Sequence, residues 1–173
     1  MPIVSVIGSG TNEHRDFAEP LGKWLAEAGY NLLTGGGSGT MTAVSRAYTS
    51  VANRQGKCIG VLPCANPGRP ELGTPGYPNK FVEVPIQTHL HLSGKQGAQT
   101  GSRNHIVVLS GDVVVALPGE YGTSSEVSLA VRYRKPVIVF AGSRDTIPDV
   151  PESVRWTLSL EEVRRFVQNH VGG

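Results

Sequence analysis

The chain has 173 residues, enough for one domain with a hydrophobic core, and 16 Lys and Arg against 14 Asp and Glu leave a net charge of +2 at pH 7. This small charge, without a Lys/Arg-rich run interleaved with aromatic residues, argues against nucleic-acid binding. The longest apolar runs are too short to span a bilayer, and the N-terminal MPIVSVIG lacks the basic region of a signal peptide, so we expect no membrane partner and a cytoplasmic location.

The first part of the chain predicts strands that alternate with helices. The β-branched run IVSVIG predicts a strand, and apolar residues at helical spacing predict a helix from residue 15 to about 28. YNLLTGGG predicts the next strand with its glycine loop, residues 40–53 predict a second helix, and KCIGVLP predicts a third strand.

The second part begins with a Pro-rich excursion, residues 63–79, which holds five of the twelve prolines. Residues 80–85 (KFVEVP) predict a strand, and residues 86–101 predict a loop over the mouth of the sheet. The remaining elements alternate between helix and strand: a short helix at SRNHIVVLS, a strand at DVVVALP, a helix at 123–134, a strand at KPVIVFAG and, after a polar link, a closing helix at SLEEVRRFVQNHV.

This alternation predicts βαβ units and a parallel sheet, and the continuously apolar strands indicate that helices cover both faces. We therefore predict a Rossmann-like, doubly wound α/β fold in which residues 1–173 form one domain. Ligands of such folds bind outside the carboxyl ends of the strands. The glycine-containing loops at 8–10, 35–39 and 118–122 all follow predicted strands and should meet at that edge.

Two of these loops have the composition of a phosphate-binding site. Glycines permit close backbone approach, and a following helix offers unpaired N–H groups at its positive end. The segment GGGSGTM departs from G-x-G-x-x-G at its last position, so a turn that only lets helix and strand pack remains an alternative. The candidate ligand-binding residues are Gly8, Ser9 and Gly10 in the first loop and Gly36, Gly37, Ser38, Gly39 and Thr40 in the second.

The third loop, PGEYGTSSE, adds a threonine and a carboxylate. Its candidate ligand-binding residues are Pro118, Gly119, Gly122, Thr123 and Glu126. Thr123 and Glu126 also have the spacing of a helix capping box, in which Thr123 would be the N-cap. Glu126 is therefore either a purely structural cap or a carboxylate at the mouth of the site, able to act as a base or to hold a ligand hydroxyl.

Arg103 is the predicted cationic partner, because a guanidinium binds phosphate through two parallel hydrogen bonds. No metal site is expected. His89 and His91 lack an acidic or Cys ligand at metal-binding spacing. Cys58 and Cys64 are the two cysteines of the sequence, and without a second pair they predict neither a metal site nor a disulfide framework.

Three segments together are similar to a known family. GGGSGTM, SRNHIVVLSGDVVVALPGEYGTSSE and RKPVIVF, within residues 3–141, resemble the LOG or "lysine decarboxylase-like" superfamily, whose hallmark is PGGxGTxxE with an upstream arginine. The segment THLHLSGKQG also resembles the subgroup that contains molybdenum cofactor carrier proteins and DprA/Smf-related small proteins. The resemblance implies a homo-oligomer, a dimer or an assembly of dimers.

The resemblance implies two possible functions. LOG enzymes are phosphoribohydrolases that split nucleoside 5′-monophosphates, such as AMP or cytokinin nucleotides, into base and ribose 5-phosphate, and their paired catalytic residues correspond to Arg103 and Glu126. The carrier proteins bind molybdenum cofactor, a pterin bearing a phosphate, without chemistry, and would exchange it with molybdoenzymes or cofactor insertases. Both functions need a phosphate cradle and a slot for a flat heterocycle, so the fold does not separate them.

One position departs from the hallmark, because Glu120 stands where the second glycine is expected. A carboxylate about 5 Å from a bound phosphate would cost about 3 kcal/mol at an effective dielectric constant of about 20, or about a hundredfold in affinity. We therefore expect the Glu120 carboxylate to point away from the anion. The exchange leaves Gly119, Gly122 and Thr123 in place, so it favours a carrier of a phosphorylated heterocycle over the hydrolase.

Overall fold

A single seven-stranded sheet forms the centre of the computed structural model, which describes residues 1–171. The strand order is β4-β3-β2-β1-β5-β6-β7, and every neighbouring pair is parallel. The strands are β1 (Ile3–Ile7), β2 (Asn31–Thr34), β3 (Cys58–Leu62), β4 (Val84–Gln87), β5 (Val113–Ala116), β6 (Val137–Phe140) and β7 (Arg155–Thr157).

Within residues 1–171, five α-helices cover the two faces of this sheet. They are α1 (Arg15–Glu27), α2 (Thr40–Thr49), α3 (Asn104–Ser110), α4 (Tyr121–Arg132) and α5 (Leu160–Val171). Buried side chains of α1, α2 and α5 form one apolar cluster with Val113 and Val115 of β5, while α3 and α4 form the other with Val114 and Ala116. This alternation along a fully buried strand confirms the doubly wound α/β prediction. No helix within residues 1–171 is both long and apolar enough to cross a bilayer.

The strand order reverses between β1, the central strand of the sheet, and its neighbour β5. From β1 the chain builds outward through β2, β3 and β4, then returns to place β5 on the other side of β1. The loops that follow β1 and β5 therefore leave the sheet in opposite directions, and a crevice opens between them at the carboxyl ends of the strands. This is the edge at which the sequence placed the glycine loops.

Hydrogen bonds tie the loops of this edge together. The Ser9 N–H donates to the Pro118 carbonyl at 3.0 Å, and the Ser9 carbonyl accepts from the Thr40 N–H at 2.9 Å. The Ser38 hydroxyl donates to the Gly10 carbonyl at 2.6 Å. Backbone hydrogen bonds and the Ser38 side chain thus hold together the loops after β1 and β5, the loop after β2 and the start of α2.

Both edge strands differ from the sequence prediction. The predicted strand at 80–85 was placed too early: the observed strand is β4, and the Glu83 N–H before it bonds to the Cys58 carbonyl. All four β4 residues are exposed, so an apolar pattern carried no information on its position. The strand β7 was missed within the polar link because it is only three residues long and two of them are exposed.

The helix predicted at 123–134 begins two residues earlier, and the capping-box interpretation of its start is wrong. Glu120 is the N-cap of α4, and the buried Thr123 lies in the first turn, where its hydroxyl has no hydrogen-bond partner among the described residues. The same spacing does cap α5, where the Ser159 hydroxyl accepts from the Glu162 N–H at 3.4 Å. The helix α2 also ends earlier than the predicted residue 53.

The close contact between the first two loops predicts a specific sensitivity at Gly39. Gly39 has φ +62° and ψ −131°, and a Cβ there would lie 2.4 Å from the Ser9 carbonyl oxygen. Gly73 has a similar backbone, with φ +69° and ψ −168°, but a Cβ there meets nothing within 4 Å. We expect Gly39→Ala to lower the free energy of unfolding by about 1–3 kcal/mol more than Gly73→Ala, because only the former adds overpacking to the backbone strain that both share. Urea denaturation of the two variants measures the difference, and equal losses would contradict this account.

Candidate functional site

The crevice between the loops after β1 and β5 contains a cleft of about 160 Å³. Six of the residues proposed from the sequence line it: Gly8, Gly10, Arg103, Gly122, Thr123 and Glu126. Nine further residues line it that the sequence did not single out as ligand-binding: Val6, Ile7, Gly35, Met41, Tyr77, Ser93, Gly94, Asn104 and Glu120. The lining therefore combines apolar side chains, exposed backbone and one Arg–carboxyl pair.

Arg103 is almost completely buried, and its guanidinium bridges three parts of the cleft. It lies directly before α3 and is 9% exposed. The Nη1 group donates to the side-chain oxygen of Asn104 and lies 3.8 Å from Glu126 Oε1, while Nη2 donates to the Gly35 carbonyl at 3.4 Å. Its Nε has no partner among the described residues. A buried guanidinium with an unused N–H is suited to bind an anion.

Glu126 projects from α4 into the same cleft and is 7% exposed. Burial raises the pKa of its carboxyl to about 7, because a charged carboxylate loses its hydration there, and the nearby Arg103 only partly offsets this effect. The carboxyl can therefore take up or release a proton near neutral pH. Within residues 1–171, no three His, Cys, Asp or Glu side chains gather as a potential metal-binding group.

The beginning of α4 supplies the second anion-binding feature. Gly122 and Thr123 line the cleft in the first turn of the helix, where backbone N–H groups have no intrahelical acceptor and the helix dipole is positive. The Thr123 hydroxyl is buried and unpartnered within the described chain. Gly119 leaves room for this side chain, because a Cβ at that position would lie 2.1 Å from Thr123 Oγ1.

Two N–H groups of the loop after β2 and that of Thr40, the first residue of α2, are engaged within the protein. The Gly36 N–H donates to Thr34 Oγ1 at 3.0 Å, the Gly37 N–H points to Met41 Sδ at 3.4 Å, and the Thr40 N–H bonds to Ser9. The residues proposed from the sequence that do not line the cleft are Ser9, Gly36, Gly37, Ser38, Gly39, Thr40, Pro118 and Gly119. Their contact with a ligand stays a prediction, while their observed contacts hold the walls of the cleft together.

Glu120 lies at the mouth of the cleft and turns toward the loop after β1. Its Oε1 accepts a hydrogen bond from the Ser9 hydroxyl at 2.8 Å and another from Thr11 Oγ1 at 3.4 Å. The residue itself is exposed and lines the cleft. Its carboxylate therefore has a defined position that is anchored by two hydroxyl donors.

The Pro-rich excursion returns to the cleft, which the sequence did not reveal. Asn79 fixes it to the loop after β2, since its N–H donates to the Gly36 carbonyl at 2.8 Å and its side-chain amide donates to the Gly37 carbonyl at 2.9 Å. This places the Tyr77 ring so close to Gly37 that a Cβ there would lie 2.8 Å from the ring. Gly94 is fixed in a similar way, because the Ser125 hydroxyl donates to its carbonyl at 2.9 Å.

The fold and the cleft together define a class: doubly wound α/β proteins with a cleft at the point where the strand order reverses, which is where such folds bind their ligands. Within that class the chain belongs to the SLOG cluster4 family, whose family model matches residues 1–166. This membership confirms the resemblance to the LOG superfamily.

The chain is similar to solved structures over nearly its whole length. The molybdenum cofactor binding protein of the phototrophic bacterium Rippkaea orientalis is 30% identical with a TM-score of 0.74, and the match covers 97% of this chain and 96% of that one. The molybdenum cofactor (Moco) carrier protein of Chlamydomonas reinhardtii is 28% identical with a TM-score of 0.69, covering 97% and 98%. An uncharacterized protein of Archaeoglobus fulgidus is 28% identical over 149 residues, which are 82% of this chain and 85% of that protein.

The burial of Glu126 predicts a pH-dependent stability difference between the wild type and Glu126→Gln. Because the pKa of Glu126 is about 7 in the folded protein against an ordinary value of 4.5, the folded state keeps a proton that the unfolded chain releases, and stability falls as pH rises between these values. Glutamine does not titrate. We expect the free energy of unfolding of Glu126→Gln to rise relative to the wild type by about 2–3 kcal/mol between about pH 5 and pH 8. Urea denaturation across this range measures it, and parallel curves for the two proteins would refute it.

Proposed function

We propose that the protein binds and carries a phosphorylated heterocycle, and that its ligand is molybdenum cofactor. The observation that carries this proposal is a pair of unpartnered buried donors in one cleft. Five buried side-chain N and O atoms have no hydrogen-bond partner among the described residues, and two of them, Arg103 Nε and Thr123 Oγ1, belong to residues that line the cleft. A ligand that accepts hydrogen bonds would satisfy both.

The phosphate of the ligand fits the cationic end of the cleft. The Arg103 guanidinium, the Thr123 hydroxyl and the first-turn N–H groups of α4 are all donors, and all suit phosphate oxygens. Glu126 lies close to Arg103, but its raised pKa makes it partly protonated at neutral pH, which reduces its repulsion of an anion. We therefore assign phosphate binding to the Arg103 guanidinium, the Thr123 hydroxyl and the first-turn N–H groups of α4.

The heterocycle fits the remaining lining. Tyr77 offers an aromatic face for stacking, and the Met41 thioether and Ile7 offer adaptable apolar contacts. The cleft of about 160 Å³ is smaller than the roughly 300–1,000 Å³ of most small-molecule sites. We infer that it encloses the phosphate and part of the heterocycle, while the rest of the ligand extends past the mouth.

Molybdenum cofactor is the heterocycle that the relatives favour. The two similar solved structures are a molybdenum cofactor binding protein and a Moco carrier protein. This ligand is a phosphate-bearing pterin, so it presents both chemical features that the cleft recognises. In this function the protein would work in the cytoplasm and exchange its cargo with molybdoenzymes or with the proteins that insert the cofactor.

The proposed phosphate contact predicts that Arg103→Ala weakens retention of molybdopterin. Loss of hydrogen bonds to a charged group should lower the affinity about 10- to 100-fold, and Arg103→Lys, which keeps the charge but loses the fork, should lie between. Ultrafiltration of the protein after incubation with molybdopterin measures the retained pterin. Arg165→Ala is the matched control, since Arg165 is exposed on α5 and is paired with Glu161. Failure of the wild type to retain molybdopterin, or equal retention by Arg103→Ala, would refute the proposal.

Phosphoribohydrolase activity is the second candidate, and the Arg103–Glu126 pair favours it. A carboxyl with a pKa of about 7, 3.8 Å from a guanidinium, has the properties of a general acid or base. If the protein is only a carrier, the wild type incubated with AMP should release no more adenine than the Glu126→Gln variant does under the same conditions. Release of adenine that Glu126→Gln lowers by about 10²- to 10⁴-fold would instead establish the hydrolase.

A further inference from the structure

The carboxylate of Glu120 has no role in the function proposed above, although it lines the mouth of the cleft. Its Oε1 is held by the hydroxyls of Ser9 and Thr11, at 2.8 and 3.4 Å. Its Oε2 has no hydrogen-bond partner within residues 1–171. One oxygen is therefore anchored, while both lone pairs of Oε2 remain able to accept hydrogen bonds from a ligand.

The other hydrogen bonds of the Ser9 hydroxyl determine that Ser9 is the donor, and Glu120 the acceptor, in the bond between them. Ser9 Oγ already accepts hydrogen bonds from the N–H groups of Thr11 and Asn12, at 3.1 and 3.0 Å. Because a serine hydroxyl has one proton and two lone pairs, its proton is left to donate to Glu120. Any group that takes the place of the carboxylate must therefore turn an acceptor toward Ser9.

We propose that Glu120 selects the heterocycle by accepting the adjacent N–H donors of a 2-amino-4-oxopyrimidine edge, which pterin and guanine share. A carboxylate is an acceptor only and repels phosphate, so the ligand enters with its phosphate toward Arg103 and its donor edge toward Glu120. Hypoxanthine lacks the 2-amino group, and adenine presents a ring acceptor beside its amino group. This inference rests on the proposed function, because it assigns one end of the same ligand.

Two substitutions at Glu120 distinguish a residue that selects the ligand from one that only links two loops. In Glu120→Gln the amide oxygen must face the Ser9 hydroxyl, so the amide nitrogen turns toward the ligand and an acceptor becomes a donor. Glu120→Gly removes the side chain and leaves unchanged the residues of the cleft to which we assign phosphate binding. A structural link would weaken all ligands equally in both variants, whereas a selecting residue changes the ratio between ligands.

Titration calorimetry of the intact protein with GMP, IMP and AMP tests the proposal. These probes share the ribose phosphate and differ only in the edge of the base. We expect the wild type to bind GMP about 10- to 100-fold more tightly than IMP or AMP, because the latter two lose at least one hydrogen bond to a charged group. Glu120→Gln and Glu120→Gly should lose this preference and still bind the nucleotides. Glu27→Gln, an exposed substitution at the far end of α1, should keep it.

The possible results keep this inference apart from the proposed function. Equal affinity of the wild type for GMP and IMP, or an unchanged ratio in Glu120→Gly, would overturn the role of Glu120 alone. Retention of molybdopterin without any binding of GMP would also overturn it and leave the carrier function standing. Failure to bind molybdopterin and all three nucleotides would overturn both.

Discussion

Ser9 is the residue on which the geometry of the cleft depends. It is fully buried, its N–H bonds to Pro118 in the loop after β5, its carbonyl bonds to Thr40 at the start of α2, and its hydroxyl bonds to Glu120. Segments that follow three different strands are thereby held by one buried residue, and only its bond to the exposed Glu120 is partly open to water. Because a buried polar group without its partner is costly, these bonds constrain the loops more strongly than surface contacts would.

The cleft combines this rigidity with polar groups that lack hydrogen-bond partners among the described residues. Arg103 and Glu126 lie 3.8 Å apart, and burial outweighs their mutual attraction, because the pKa of Glu126 is raised and not lowered. The guanidinium keeps an unused N–H, and the Thr123 hydroxyl has no partner in the described chain. Proteins usually tolerate such groups where a ligand completes the hydrogen bonding. The same features suit a carrier, which must bind its cargo without altering it, and a hydrolase, which would use the proton of Glu126.

Local sequence patterns predicted the parallel, doubly wound sheet and most of the helices. Buried strands are continuously apolar, and the apolar residues of helices repeat every 3.6 residues. The patterns failed at β4 and β7, whose side chains are largely exposed and carry no such pattern. For Thr123 and Glu126 one spacing fits both a capping box and a pair facing a cleft, so the sequence left both interpretations open. The α5 helix shows that the capping interpretation is sound in another context, so only the surroundings of α4 decide between the two.

By itself, the sequence determined the doubly wound fold, the edge of the sheet where the site lies, and the candidates Arg103, Thr123 and Glu126, because strands, glycine turns and helix starts are local features. The tertiary structure alone decided that Tyr77 reaches the cleft, that the Gly36 and Gly37 amides are engaged internally, and that Glu120 is anchored to Ser9. Each of these depends on contacts between segments far apart in the chain. Burial and hydrogen-bond partners arise only from such contacts, and they set the charge and the free donors of the cleft.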